Sequence, residues 1–205
     1  MKSPIIFTAL RIGSKILFYV LTVYTLIFII TSLLRISGKN EKLNDKVFSY
    51  EMMSFSRSLK SASAASVETD NIRLYAAWDR YKVMVKPASQ IGYYSFLSKL
   101  AFTCIGVLIL WIFKRIFEQA NLESPFRKSI YKLLITLSVV FLATDVLAFL
   151  DYLIVNQLIS AELPATKLRL ITETGRGAIT AVIILAIATI YHKGIVLQEE
   201  NELTV

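Results

Sequence analysis

KRIFEQANLESPFRKSIYK, residues 114–132, is the only long polar break between two strongly apolar runs in the second half of the chain. It carries Lys114, Arg115, Arg127, Lys128 and Lys132 against Glu118 and Glu123, a net of +3. Short loops rich in Lys and Arg are kept on the cytoplasmic side of a membrane. The stretch therefore reads as a basic turn between two bilayer-crossing helices, and it fixes which way round they sit.

The composition agrees. Of 205 residues, 55% are hydrophobic and 19% charged, and the mean hydropathy is +0.58. That is more apolar and less charged than a soluble domain, and the length suits one integral membrane domain. The net charge of +8 is scattered over loops and broken by apolar runs. A nucleic-acid binder gathers its charge on one face, so direct nucleic-acid binding is not expected. Cys104 is the single cysteine, which leaves no disulfide or cysteine metal site within one chain.

Before the break runs QIGYYSFLSKLAFTCIGVLILWIF, residues 90–113. Tyr93 and Tyr94 mark one interface and Trp111 the other, as an aromatic belt does. The helical spacing of Ile116, Phe117 and Ala120 carries this helix on to about residue 119. After the break, Ser124 is placed as N-cap and Pro125 as the first helical residue. A span over 129–155 follows, then a short polar connection over 156–170 with Pro164. The last span covers 171–192. Its Gly177, Ala181 and Ala188 form a small-residue stripe that lets another helix approach closely.

At the other end, Lys2, Arg11 and Lys15 precede residues 16–34, a run without a charge. About 20 apolar residues cross a bilayer core. The run exceeds the 7–15 residues of a signal-peptide core, so it reads as an uncleaved first helix. Residues 35–89 are too polar to insert. Ile72, Leu74 and Ala76, then Tyr81, Val83 and Val85, alternate with their neighbours and predict one or two strands. VFSYEMMSF, 47–55, is a weaker strand or a short helix, SLKSASAAS, 58–66, a flexible connection, and Pro87 a strand end. So short a segment has a meagre core of its own. It is either a small sensing domain or a structural cap over helix ends.

The expected fold is an all-α membrane protein. Four transmembrane helices are expected, with a small extracytoplasmic α/β or β segment between helices 1 and 2. Its parts are 1–34 (tail and helix 1), 35–89 (extracytoplasmic segment) and 90–205 (a three-helix membrane region with cytoplasmic loop 114–132 and tail 193–205). Four crossings put Lys2, Arg11, Lys15, the five basic residues of the loop and Lys193 on one side. Lys167 and Arg169 lie on the other, with Arg176 at its edge. Arg35, Lys39 and Lys42 oppose this arrangement. The balance places both termini in the cytoplasm.

Ionisable residues inside a span are the sharpest candidates for function: Lys99, Asp145, Asp151 and Arg176. An intramembrane aspartyl protease is not expected, because Asp145 and Asp151 are six residues apart on one helix, about 120° from sharing a face. Depth along the helices suggests ion pairs instead, Lys99 with an aspartate and Arg176 with Asp151. His192, the single histidine, is a poor metal site alone. No glycine-rich phosphate loop and no serine or cysteine placed with a histidine base is seen, so neither an enzyme nor a cofactor is expected. The tail 193–205 sets Lys193 against Glu199, Glu200 and Glu202. Opposite charge on loop and tail suggests docking, with Arg115, Arg127, Lys128, Glu199, Glu200 and Glu202 as the contact residues. A solvated pair of faces on anionic lipid is the alternative.

The stretch AIATIYHKGIVLQEENELTV, 186–205, resembles the C-terminal signature of domain of unknown function 2975, a family of prokaryotic membrane proteins. The matching residues are Gly194, Leu197, Glu199, Glu200, Glu202, Leu203, Thr204 and Val205. Ser124-Pro125-Phe126 is similar to the family's Pro-Phe segment between middle spans. The resemblance implies a multi-span bacterial membrane protein of unassigned activity with no assigned catalytic residues. It also implies a regulatory partnership with a small helix-turn-helix transcription regulator. Two functional readings follow. One is a sensor or anchor acting on such a cytoplasmic partner. The other is a small transporter or ion-coupled protein using Asp145, Asp151 and Lys99. Association into a homo-oligomer stays open.

Overall fold

The computed structural model describes residues 3–37, 48–54, 72–77, 80–120, 126–164, 168–172 and 174–203. The elements are α1 (Ser3–Ile36), β1 (Phe48–Ser54), β2 (Ile72–Ala77), β3 (Arg80–Val85), α2 (Gln90–Gln119), α3 (Lys128–Glu162), β4 (Leu168–Leu170) and α4 (Arg176–Leu203). All four helices are long and apolar enough to cross a membrane. The segments read as a flexible connection at 58–66 and as the Ser124-Pro125 helix start lie outside the described residues.

The chain groups into two compact units, the first made of Met1–Thr25, Phe102–Val146 and Thr174–Val205. Its small core is Ile112, Leu137 and Ile184, one from each of α2, α3 and α4, flanked by Ile109, Phe113 and Phe141. Large apolar side chains point outward instead: Val20, Val139, Val182 and Ile190 are all exposed. Small residues point inward: Ser14, Thr25, Ser138, Ala181 and Ala188 are buried. Water would invert that pattern, because a soluble monomer does not display apolar patches on this scale. Lipid favours it, since small residues let helix backbones approach. The stripe on α4 is such an approach, with the Ser138 hydroxyl of α3 donating to the Ala181 carbonyl at 3.0 Å.

The second unit is Leu26–Ala101 with Leu147–Glu173. It holds one antiparallel sheet in the order β2-β3-β1-β4. In β1, Phe48, Tyr50 and Met52 are buried while Ser49, Glu51 and Met53 are exposed, the alternation of a sheet covered on one face. Tyr50, Met52, Val83, Val85 and Leu168 pack on Ile91 of α2, on Val155 and Ile159 of α3 and on Leu163 just past its end. The sheet thus borrows its core from helix ends. Lys86 and Pro87 end β3. The Ser89 hydroxyl oxygen then accepts the Gly92 N–H at 3.1 Å and caps the start of α2.

One expectation is corrected here. Residues 156–170 are not simply a polar connection. The helix α3 continues to Glu162, and Leu168–Leu170 forms a fourth strand against β1, with Met52 opposite Leu170 and Ser54 opposite Leu168. Three residues are too few to show an alternating pattern, and the pairing that makes them a strand comes from a segment more than a hundred positions away.

Candidate functional site

In the second unit a polar cluster lies between β1, α2 and α3. The Asp151 carboxylate accepts from the Tyr94 hydroxyl at 3.0 Å and the Ser98 hydroxyl at 2.5 Å, both to Oδ1. Tyr94 and Ser98 are one helical turn apart on α2, which sets two hydroxyls on one face. Beside them the buried Tyr50 hydroxyl donates to Ser95 Oγ at 2.7 Å, and Ser95 donates to the Ile91 carbonyl at 2.7 Å. Burial pushes the Tyr50 phenol up to about 12; the Ser95 hydrogen bond opposes this and the Asp151 charge adds to it. Tyr50 is therefore a neutral donor throughout the physiological range. The Lys99 ammonium lies 4.7 Å from the centre of the Phe48 ring and 5.8 Å from that of Tyr50, a cation–π arrangement.

Asp145 sits in the first unit and does something different. It accepts three backbone N–H groups at the start of α4: Gly175 at 3.1 Å, Gly177 at 3.2 Å and Ala178 at 2.8 Å. Helix N-termini present unsatisfied N–H groups and a partial positive charge, and a carboxylate from a neighbouring helix satisfies both. Gly175 adopts φ +98°, a conformation open to glycine and costly for other residues. Gly177 permits the approach: a Cβ there would lie 2.5 Å from the Phe141 carbonyl oxygen and from Thr144 Oγ1.

Both aspartates for which ion pairs are expected also accept hydrogen bonds from neutral groups. Lys99 shares the polar cluster of Asp151 and lies against aromatic rings. Arg176 lies between the two glycines whose N–H groups bind Asp145, at the first residue of α4.

The basic loop and acidic tail meet within the first unit. Lys128 Nζ is 2.8 Å from Glu199 Oε1. The Arg127 N–H donates to the Tyr191 hydroxyl at 2.9 Å, the Phe126 and Tyr191 rings contact edge to face at 5.3 Å, and Tyr131 meets His192 at 4.8 Å. Gly194 leaves room for the Phe126 ring, which a Cβ would strike. Two residues that belong to separate motifs in the sequence are therefore in contact. The Lys128 and Glu199 side chains are 73% and 53% exposed. Such a pair contributes roughly 0–1 kcal/mol, so it marks where the segments meet and the rings hold them. Arg115 stacks over Trp111 at 5.4 Å on α2. Glu200 is exposed on α4, and the Glu202 side chain lies outside the described residues.

Sequence reasoning missed Arg11. Its guanidinium donates to the carbonyls of Phe117 at 3.3 Å and of Glu118 and Ala120 at 3.4 Å, closing the end of α2 where carbonyls lack intrahelical partners. Lys15 adds an ion pair to Glu118 at 3.4 Å. An unpartnered helix end beside a basic residue is the only signal that could have found this, and it does not say which helix end is near.

Four long apolar helices, a small sheet seated on helix ends and aspartates bound by backbone and hydroxyl donors define a membrane-type protein. The sequence matches the model of the family described as a protein of unknown function (DUF2975) over residues 74–205, and the chain belongs to that family. No curated protein and no solved structure matches it. Family and fold together fit a membrane protein of unassigned activity.

Proposed function

We propose that this chain is a four-crossing protein of a bacterial inner membrane, with both termini in the cytoplasm and the sheet outside. In this reading it is a sensor or anchor for a cytoplasmic protein, such as a small helix-turn-helix regulator. The observation that carries the reading is the joined face of loop and tail. Lys128 with Glu199, and Arg127 with Tyr191, hold the start of α3 against the end of α4. A partner bound there touches two helices at once and responds to any shift between them. The coupling is mechanical in kind, and only a measured dependence establishes it.

The test removes residues 198–205 and compares truncated and full-length protein, each extracted in mild detergent from the native cells. The truncated protein is expected to stay in the membrane and to lose a soluble partner that the full-length protein retains. Equal recovery by both, or none by either, overturns the reading. Orientation has its own check. A reporter active only outside the cytoplasm should be silent when fused after residue 120 and active when inserted within 55–71; the reverse result inverts the topology.

The ion-coupled alternative rests on one observation, the Asp151 carboxylate held by the Tyr94 and Ser98 hydroxyls within a candidate span. Proton or ion flux in liposomes that disappears in Asp151→Asn would favour it. Asp145 is the weaker element of that reading, because its carboxylate is occupied by three N–H groups.

A further inference from the structure

A cleft of about 720 Å³ opens between the end of α3 and β4. Sites for small molecules commonly fall between about 300 and 1,000 Å³. Tyr152, Asn156 and Ser160 follow one another at four-residue spacing along α3, with Gln157 in the adjoining row, so a single helical face lines one wall. Arg169 comes from β4, where Leu168 is buried in the core and Arg169 is exposed on the strand's other face. Asn156 Oδ1 accepts the Leu170 N–H at 2.8 Å. That bond pins β4 to α3 and leaves the amide N–H groups of Asn156 as donors.

The chemistry of the wall is one-sided. It offers a guanidinium, two carboxamides and two hydroxyls, and no carboxylate lines it among the described residues. The side chains of Arg169, Gln157 and Ser160 make no hydrogen bond or ion pair with another described residue. A guanidinium fork matches the oxygens of a carboxylate or phosphate. The space exceeds a bare anion, and Leu153, Pro164 and Leu168 supply apolar contact for the remainder.

We propose that this cleft binds a ligand bearing a phosphate or carboxylate group on a partly apolar body, with Arg169 holding the anionic group and Asn156, Gln157 and Ser160 donating hydrogen bonds to it. The proposal goes beyond the partner reading above and does not depend on it. Such a ligand is either a soluble phosphorylated or carboxylated molecule or the headgroup of an anionic lipid. The two sources share one chemistry.

The test uses the full-length protein in phosphatidylcholine nanodiscs, following its thermal unfolding midpoint. One arm adds glycerol phosphate. The other replaces part of the lipid with phosphatidylglycerol. The midpoint should rise in at least one arm. Arg169→Gln should weaken the apparent affinity by about tenfold or more, and Arg169→Lys by less, because it keeps the charge and loses the fork. A response to glycerol phosphate identifies a soluble ligand; a response to phosphatidylglycerol alone identifies a lipid headgroup. The basic loop also attracts anionic lipid, so the difference from Arg169→Gln is the readout. Should Arg169→Gln fail to fold, the pair Gln157→Ala with Ser160→Ala, on an exposed helix face, serves in its place with an expected loss of several-fold. No rise in either arm, or an equal rise in wild type and variants, overturns the proposal.

Discussion

Asp145→Leu should unfold the protein more readily than any other single exchange of an acidic residue in the described helices. Three N–H groups at the start of α4 lose their acceptor together. Each buried donor left without a partner costs about 1–3 kcal/mol, and a carboxylate at a helix N-terminus contributes up to about 2 kcal/mol in a partly buried setting. Water reaching the site offsets part of this, so a loss of about 3 kcal/mol or more is expected. Asp145→Asn keeps one carbonyl oxygen and should lose roughly half as much. Reversible unfolding in mixed detergent, read by tryptophan fluorescence, measures both. If Asp145→Leu changes stability by less than about 0.5 kcal/mol, the value for an ordinary surface exchange, the carboxylate does not cap α4.

Gly177→Leu is the second large effect. The atoms facing a Cβ at this position are the Phe141 carbonyl oxygen and Thr144 Oγ1 at 2.5 Å and Asp145 Oδ1 at 3.0 Å. A backbone carbonyl cannot rotate aside, so α3 and α4 must separate. Overpacking by a methyl group costs about 1–3 kcal/mol; Gly177→Ala belongs in that range and Gly177→Leu above it. Separation also pulls the Gly177 and Ala178 N–H groups from Asp145. The combined variant Asp145→Asn with Gly177→Ala should therefore lose less than the sum of the two, since both break one contact. Strict additivity in that cycle would mean that the two sites are independent.

The four helices were legible because their signal is local. A run of about twenty apolar residues declares itself without reference to any partner, and a helix satisfies its own backbone. The hairpin of β2 and β3 was legible for a similar reason: Tyr81, Val83 and Val85 alternate over enough positions to show a period of two. What escaped was set by distance along the chain. Leu168–Leu170 is a strand only because β1 lies beside it. The three N–H groups that Asp145 accepts were not legible, because a sequence displays charged side chains and hides backbone N–H groups. Lys99 stands out in the sequence as a charge within an apolar run, but nothing near it points to Phe48 and Tyr50, some fifty residues earlier on a strand of uncertain type. The loop and tail were read from charge. Phe126, Tyr191 and Gly194 show that aromatic packing accompanies that charge, and bulk composition carries no trace of it.

The bonds from Arg11 to the end of α2 set an order of events during synthesis. Arg11 leaves the ribosome 106 residues ahead of Phe117. At roughly 5–20 residues per second that interval is on the order of ten seconds. Through it the guanidinium has no α2 carbonyl to meet, while the strands β1, β2 and β3 are made. The contact therefore forms only once residues 117–120 have been made, long after α1 itself.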